Sequence, residues 1–295
     1  MKKKIVVILG PTGAGKSALG VLLAKKFNGE IISADSRQVY KGLNIGTAKI
    51  TEEEMQGVAH HLLDVADPME SFTAADYKKL AEKVILEINE RGKIPFLVGG
   101  SGFYIDAVLY DMSFPPVSPN TNLRKVLEEK SAEELFKELQ TKDPKRASAI
   151  DPHNKKRLIR ALEIIDSIGK VPNLEKKSKN QSLIIGTAVK DWDAHDKWLL
   201  ERLDKRLESG LIEEVKNLHD HEGVGWKRLY DLGLEYRWVA EYLQGKVEYE
   251  TMCERLWIDI RKYARRQMTW FKRDKDIYWV NSPAEAEKIV QDYMI

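Results

Sequence analysis

Eight consecutive residues, Gly10, Pro11, Thr12, Gly13, Ala14, Gly15, Lys16 and Ser17, fill every fixed position of G-x-x-x-x-G-K-[ST]. Glycines let backbone N–H groups turn inward around phosphate oxygens, and a helix N-terminus adds its partial positive charge. Lys16 contributes a full charge, and the Ser17 hydroxyl is a ligand for Mg²⁺. The chemistry is capture of a di- or triphosphate. A nucleotide hydrolase of this type carries an Asp at the end of a later strand to hold the metal. Here the apolar run Ile94 to Val98 leads instead into Gly99, Gly100, Ser101 and Gly102. The nearest carboxylate is Asp35, within Ser33 to Gln38, where an Asp serves equally well as a loop cap or as a reactive group. If these segments leave neighbouring parallel strands, Asp35, Ser101 and the cradle face one crevice.

The elements that must position them follow from periodicity. Ile5 to Leu9 is a β-branched run of buried-strand type, Glu30 to Ser33 a second strand and Ile94 to Val98 a third. A helix is expected from Lys16, packing through Leu19, Leu22, Leu23 and Phe27, and another over Thr73 to Arg91, with Thr73 as N-cap and Gly92 beyond its end. After Phe114 the segment Pro115 to Pro119 is a stiff linker into charged helical sequence, and the short basic run Lys176, Lys177, Ser178, Lys179 reads as a solvated loop. Strand-like sequence returns at Leu183 to Val189, and Ile277 to Val280 closes the pattern. The expected fold is α/β: a P-loop NTPase-like parallel sheet core over 1–117 and 181–295, with a helical insertion domain over 118–180.

The lone cysteine, Cys253, excludes an internal disulfide and a cysteine-rich zinc site. The first residues have the charged and apolar order of a secretion signal, but the apolar run is five residues long, and no stretch is long enough to span a membrane. A cytoplasmic monomer without membrane contact is expected. Adjacent His60 and His61 point in different directions and have no evident third ligand, which argues against a metal site.

Several stretches together resemble the tRNA dimethylallyltransferase family: GPTGAGKS at 10–17, DSRQVYKGLNIGTAK at 35–49, GVAHHLLDVADP at 57–68, FLVGGSGFYIDAV at 96–108, RLIRALEI at 157–164 and RKYARRQMTWFKR at 261–273. They run in the family's order over nearly the whole chain. The resemblance implies transfer of a dimethylallyl group from dimethylallyl diphosphate to N6 of an adenosine beside the anticodon of tRNA, with diphosphate released and no ATP consumed. It implies that Asp35 is the general base and that Ser101 lies beside the reacting centre. Residues 10–17 then clamp the diphosphate with Mg²⁺ on Ser17 and a further Arg, for which Arg206 is the candidate. Asp35, Ser36, Arg37, Gln38 and Ser101 meet the flipped adenosine. Arg124, Lys156, Arg157 and Arg160 are assigned to the tRNA anticodon stem-loop, and His60 to a supporting role. The sequence departs from the family after Arg206, which reaches Glu208, Ser209 and Gly210 early, at Ala59, and over Trp226 to Arg237.

A net charge of +2 speaks against a polyanion partner until it is resolved by segment. Ser118 to Asn180 carries 15 Lys+Arg against 10 Asp+Glu, and Arg255 to Lys275 carries eight against two. The second stretch interleaves Trp257, Tyr263, Trp270 and Phe271 with its cations, a combination suited to RNA, with Arg265 and Arg266 as contacts. Most of the seven tryptophans, all from Trp192 onward, are expected in helix packing. Three alternatives stay open: an adenylate isopentenyltransferase acting on free nucleotide, an ATP-dependent small-molecule kinase, and a non-catalytic RNA-binding module. The basic insertion and Gly46 to Lys49 favour the tRNA enzyme over the first.

Overall fold

A computed structural model describes residues 4–112, 114–172 and 181–295, so the run Lys176 to Lys179 lies outside the described residues. The chain forms two compact units, Met1–Asp111 with Ser178–Ile295, and Met112–Lys177.

The first unit is built on a parallel sheet of β1 (Lys4–Leu9), β2 (Gly29–Ala34), β3 (His60–His61), β4 (Ile94–Gly99), β5 (Gln181–Thr187) and β6 (Tyr278–Val280), in the order β3-β2-β4-β1-β5-β6. Its central strands are apolar without alternation because both faces are covered. Ile5, Val7 and Leu9 enter one core with Ile32 and Leu97, while Val6 and Ile8 enter a second with Ile31, Phe96 and Val98. Register aligns the strand ends: Leu9 lies level with Gly99 and Gly186, and Ala34 with Gly99. Loops leaving β1, β2 and β4 therefore emerge at one edge. The two-residue β3 is too short to show a period and had no counterpart in the sequence reading.

Helices of this unit before the insertion are α1 (Lys16–Lys26), α2 (Glu52–Met55), α3 (Ala74–Glu90) and α4 (Gly102–Leu109). Thr73 caps α3 through a capping box with Asp76, as its residue type predicted. Leu22 departs from expectation, because α1 buries Leu19, Val21, Leu23 and Ala24 and leaves Leu22 41% exposed on a cavity wall. The second unit holds α5 (Thr121–Glu129), α6 (Ala132–Lys142), α7 (Pro144–Ala147) and α8 (Lys155–Ile168), around a core of Leu127, Leu135, Leu139, Leu158 and Leu162. The first unit then resumes with α9 (Trp192–Glu208), α10 (Leu211–Asp220), α11 (Trp226–Leu232), α12 (Leu234–Leu243), α13 (Tyr249–Phe271) and α14 (Pro283–Met294). Six of the seven tryptophans pack partly buried against the core, and Trp198 stands out to solvent. Among the described residues no helix is long and apolar enough to cross a membrane.

Glu30 on β2 is only 4% exposed, yet it is ionised. Its carboxylate accepts from Arg91 Nη2 at 2.6 Å, pairs with Lys93 at 3.0 Å and contacts His61 Nε2 at 2.7 Å. Burial pushes its pKa up, and the bonds from Arg91, His61 and Lys93 outweigh that and hold it at about 2, below the ordinary 4.5. A carboxyl lowered on folding stabilises above the unfolded value and loses that contribution as pH falls through the folded one. Stability should therefore decline between about pH 4.5 and 2, by on the order of 2–3 kcal/mol for this group. Glu30→Gln should lower the neutral-pH stability and flatten that part of the acid limb in denaturant titrations. An unchanged limb would remove Glu30 as its source.

Candidate active site

The cradle is the turn between β1 and α1. Gly13 and Gly15 take φ of 82° and 76°, a left-handed backbone that places successive N–H groups on the inner side of the turn. Lys16 Nζ folds back to donate to Pro11 O at 3.2 Å. Burial lowers Lys16 to about 8, with the Asp35 carboxylate pulling it up and the Arg202 guanidinium pushing it down. The three charges lie close enough to act on one another. Ser17 is exposed on the first turn of α1 and borders a cavity of about 620 Å³ with Leu22, Lys25, Lys26, Ile50 and Arg202.

Asp35 follows β2 directly. Its Oδ1 accepts from the backbone N–H of Arg37 at 2.8 Å and of Gln38 at 3.3 Å, so the carboxylate caps this turn. Oδ2 has no hydrogen bond among the described residues. The two sequence readings of Asp35 are therefore compatible, one oxygen for each. Ser101, the residue before α4, is buried; its N–H donates to Ala34 O at 3.1 Å, and its Oγ accepts from Ser36 N–H at 2.9 Å. The loops after β2 and β4 are locked together around Asp35. Arg37 Nε donates to Leu232 O at 2.7 Å, which ties the turn to the end of α11. Gln38 Nε2 reaches Thr47 O and Ala48 O at 3.3 and 3.2 Å, and its Oε1 accepts from Ser33 Oγ at 3.2 Å, so its amide has one orientation. His60, with Ser17, Ser33 and Gln38, bounds a small space below the cradle; burial lowers its pKa, and its Nδ1 contacts Val58 O at 2.9 Å.

Arg206, the candidate for the diphosphate, donates through Nη1 to Glu235 at 2.7 Å and to Gly46 O at 2.9 Å. Arg202, one turn earlier on α9, is the guanidinium on the cavity wall with Ser17. Spacing along a helix does not separate these two arginines; their partners do. Also beyond sequence reasoning were Gln267 and His195, which bind the backbone of Thr12 across most of the chain. Tyr263 lies near the same groups: burial raises its pKa, Asp35 raises it further, and Arg37 and the Ser101 side chain oppose the rise.

The expected RNA contacts divide by environment. Lys156 and Arg157 are exposed on α8. Arg124 and Arg160 converge on Glu163, which is 2% exposed: Arg124 binds it through two bonds of 2.6 and 2.7 Å, and Arg160 sits at 3.3 Å. On α13, Arg265 grips Asp196 with both Nη atoms at 3.0 and 2.9 Å, and Arg266 lies 5.9 Å from the Tyr263 ring centroid. Among the described residues no cluster of three His, Cys, Asp or Glu is arranged to hold a metal.

A parallel sheet with the G-x-x-x-x-G-K-S turn at the end of β1, a serine after the neighbouring β4 and a carboxylate after β2, one strand further, defines an α/β protein with a P-loop-like fold. Residues 38–274 match the family model described as IPP transferase, and the chain belongs to that family. It is 41% identical over 297 residues to the tRNA dimethylallyltransferase of Halalkalibacterium halodurans, covering 95% of this chain and 91% of that one. It is 40% identical to the Bacillus subtilis tRNA dimethylallyltransferase, with 97% and 94% covered. Among solved structures, the tRNA isopentenylpyrophosphate transferase of Bacillus halodurans superposes with a TM-score of 0.75 at 38% identity, over 99% of this chain and 96% of that one. A eukaryotic dimethylallyltransferase acting on tRNA gives 0.85 at 28% identity, over 99% and 79%.

Proposed function

We propose that this chain transfers a dimethylallyl group from dimethylallyl diphosphate to N6 of an adenosine next to the anticodon in tRNA. The observation that carries the reading is the meeting of the cradle with Asp35 and Ser101 at one sheet edge, where Lys16, Asp35 and Arg202 act on one another. The cradle N–H groups and Lys16 bind the diphosphate, and Arg202, which lines the cavity with Ser17 and acts on Lys16, supplies the further guanidinium. As the N6 lone pair bonds to C1, the C1–O bond breaks and its electron pair leaves with diphosphate. The N6 proton passes to Asp35 Oδ2. An exocyclic amine is a weak nucleophile, so orientation by Ser101, Gln38 and the cradle matters more than base strength.

Mg²⁺ fits the site on one donor. Ser17 Oγ is exposed at the cradle and makes no hydrogen bond among the described residues, so it would hold Mg²⁺, whose remaining ligands would come from substrate phosphates and water. When bound, the ion neutralises charge on the diphosphate. Lys156 and Arg157 on α8 and Arg266 on α13 are assigned to RNA contact. Arg124, Arg160 and Arg265 each hold a carboxylate on one edge of a five-donor guanidinium and keep other donors for phosphate. A tRNA acceptor fits a cytoplasmic location.

The test is label transfer from radiolabelled dimethylallyl diphosphate, without ATP, to an anticodon stem-loop or to AMP. The expected result is label in the stem-loop and none in AMP. Transfer to AMP would favour the free-nucleotide enzyme, and an absolute need for ATP the kinase.

A further inference from the structure

Gln267 lies on α13, far from the cradle in sequence, and is 6% exposed. Its Oε1 accepts from the backbone N–H of Thr12 at 2.8 Å, and its Nε2 donates to Gly100 O at 2.8 Å. One amide thus bridges two loops. Thr12 belongs to the cradle, while Gly100 immediately precedes Ser101, whose N–H and Oγ hold Ala34 O and Ser36 N–H on either side of Asp35. The Thr12 carbonyl is held as well, by His195 Nε2 at 3.0 Å, so Thr12 is clamped at both polar atoms. Its N–H is turned toward a side chain and is not one of the donors left for phosphate. The fit around the amide is close: a Cβ added at Gly100 would lie 2.3 Å from Gln267 Nε2.

A buried amide that merely satisfied stray backbone groups would explain these bonds. It would not explain why the two groups belong to the loops that hold the two substrates. We propose that Gln267 is a positioning residue for the transfer, fixing the distance between the diphosphate cradle and the Asp35–Ser101 loop so that C1 of the donor sits within reach of the acceptor amine. The inference rests on the prenyl-transfer reading above. It assigns Gln267 no contact with substrate; it acts through Thr12 and Gly100.

Gln267→Met keeps length and volume while removing both bonds, and Gln267→Glu keeps an acceptor for Thr12 and offers no donor to Gly100. Displacement of reacting groups by about 1 Å costs on the order of 10²-fold in rate. In steady-state assays with dimethylallyl diphosphate and a stem-loop, Gln267→Met should lower kcat by about 10- to 100-fold, with both KM values near wild type. Gly100→Ala, which pushes a methyl into the position of Nε2, should reproduce this split without altering Gln267. Thermal unfolding and equilibrium binding of diphosphate on the same proteins separate misfolding from mispositioning. Wild-type kcat in a folded Gln267→Met or in Gly100→Ala would overturn the proposal, and so would a loss confined to diphosphate affinity. Absence of transfer by the wild-type chain would instead overturn the functional reading on which the proposal stands.

Discussion

Asp35→Asn should lower prenyl transfer by about 10²- to 10⁴-fold, the range in which a positioned acid or base contributes, while tRNA affinity stays near wild type. The choice of Asn matters because Asp35 does two things. Oδ1 caps the turn by accepting from Arg37 and Gln38 N–H, and an amide oxygen can keep those bonds. Oδ2 accepts the N6 proton in the proposed reaction, and an amide nitrogen cannot. Asp35→Ala removes both and should add a loss of stability typical of a deleted cap, about 1 kcal/mol. Single-turnover transfer with saturating stem-loop, alongside filter binding, measures the two effects separately. Wild-type turnover in Asp35→Asn would leave Asp35 as a loop cap and require another acceptor for the proton.

Lys16→Met should cost about 10²- to 10³-fold in kcat/KM for the donor, comparable to losing one donor that stabilises charge on the leaving group. The pH dependence identifies the residue. Burial holds Lys16 at about 8, so the free enzyme loses this charge as pH rises through that value. A bound diphosphate favours the charged form, so binding is tightest below pH 8 and weakens above it. Donor KM should therefore climb above pH 8 in the wild type. It should be flat there in Lys16→Arg, whose guanidinium does not deprotonate. A wild-type KM independent of pH from 7 to 9.5 would sink the assignment. In the same assays Arg202→Ala should raise donor KM more than Arg206→Ala, because Arg202 lines the cavity beside Ser17 and acts on Lys16.

What could be read from the sequence depended on how local each feature was. The cradle is contiguous, and its strand and helix flank it directly, so motif and context coincide. Asp35 and Ser101 were legible because parallel strands bring their carboxyl ends to one edge, and the register of β1, β2 and β4 does so. Arg202 and Arg206 lie one turn apart on α9 with the same charge, and what distinguishes them is tertiary: Arg202 lines the cavity beside Ser17, while Arg206 pairs with Glu235 and Gly46 O. Gln267 was hidden for a stronger reason. Its partners are backbone atoms 255 and 167 residues away, and backbone atoms carry no residue type to be recognised. Leu22 followed helical spacing and still faced a cavity, since periodicity identifies an apolar face without showing what lies against it.

Glu163 has a bearing on how the insertion can evolve. This acid gathers Arg124 of α5, Arg160 of α8 and the N–H of Asn120, the N-cap of α5. Selection for a tighter grip on a polyanion would naively favour its replacement by a neutral or basic residue. Such a change would leave two guanidiniums crowded around an empty centre, and the more cationic unit would present its cations less well. The acid is thus an epistatic constraint on the two guanidiniums it holds.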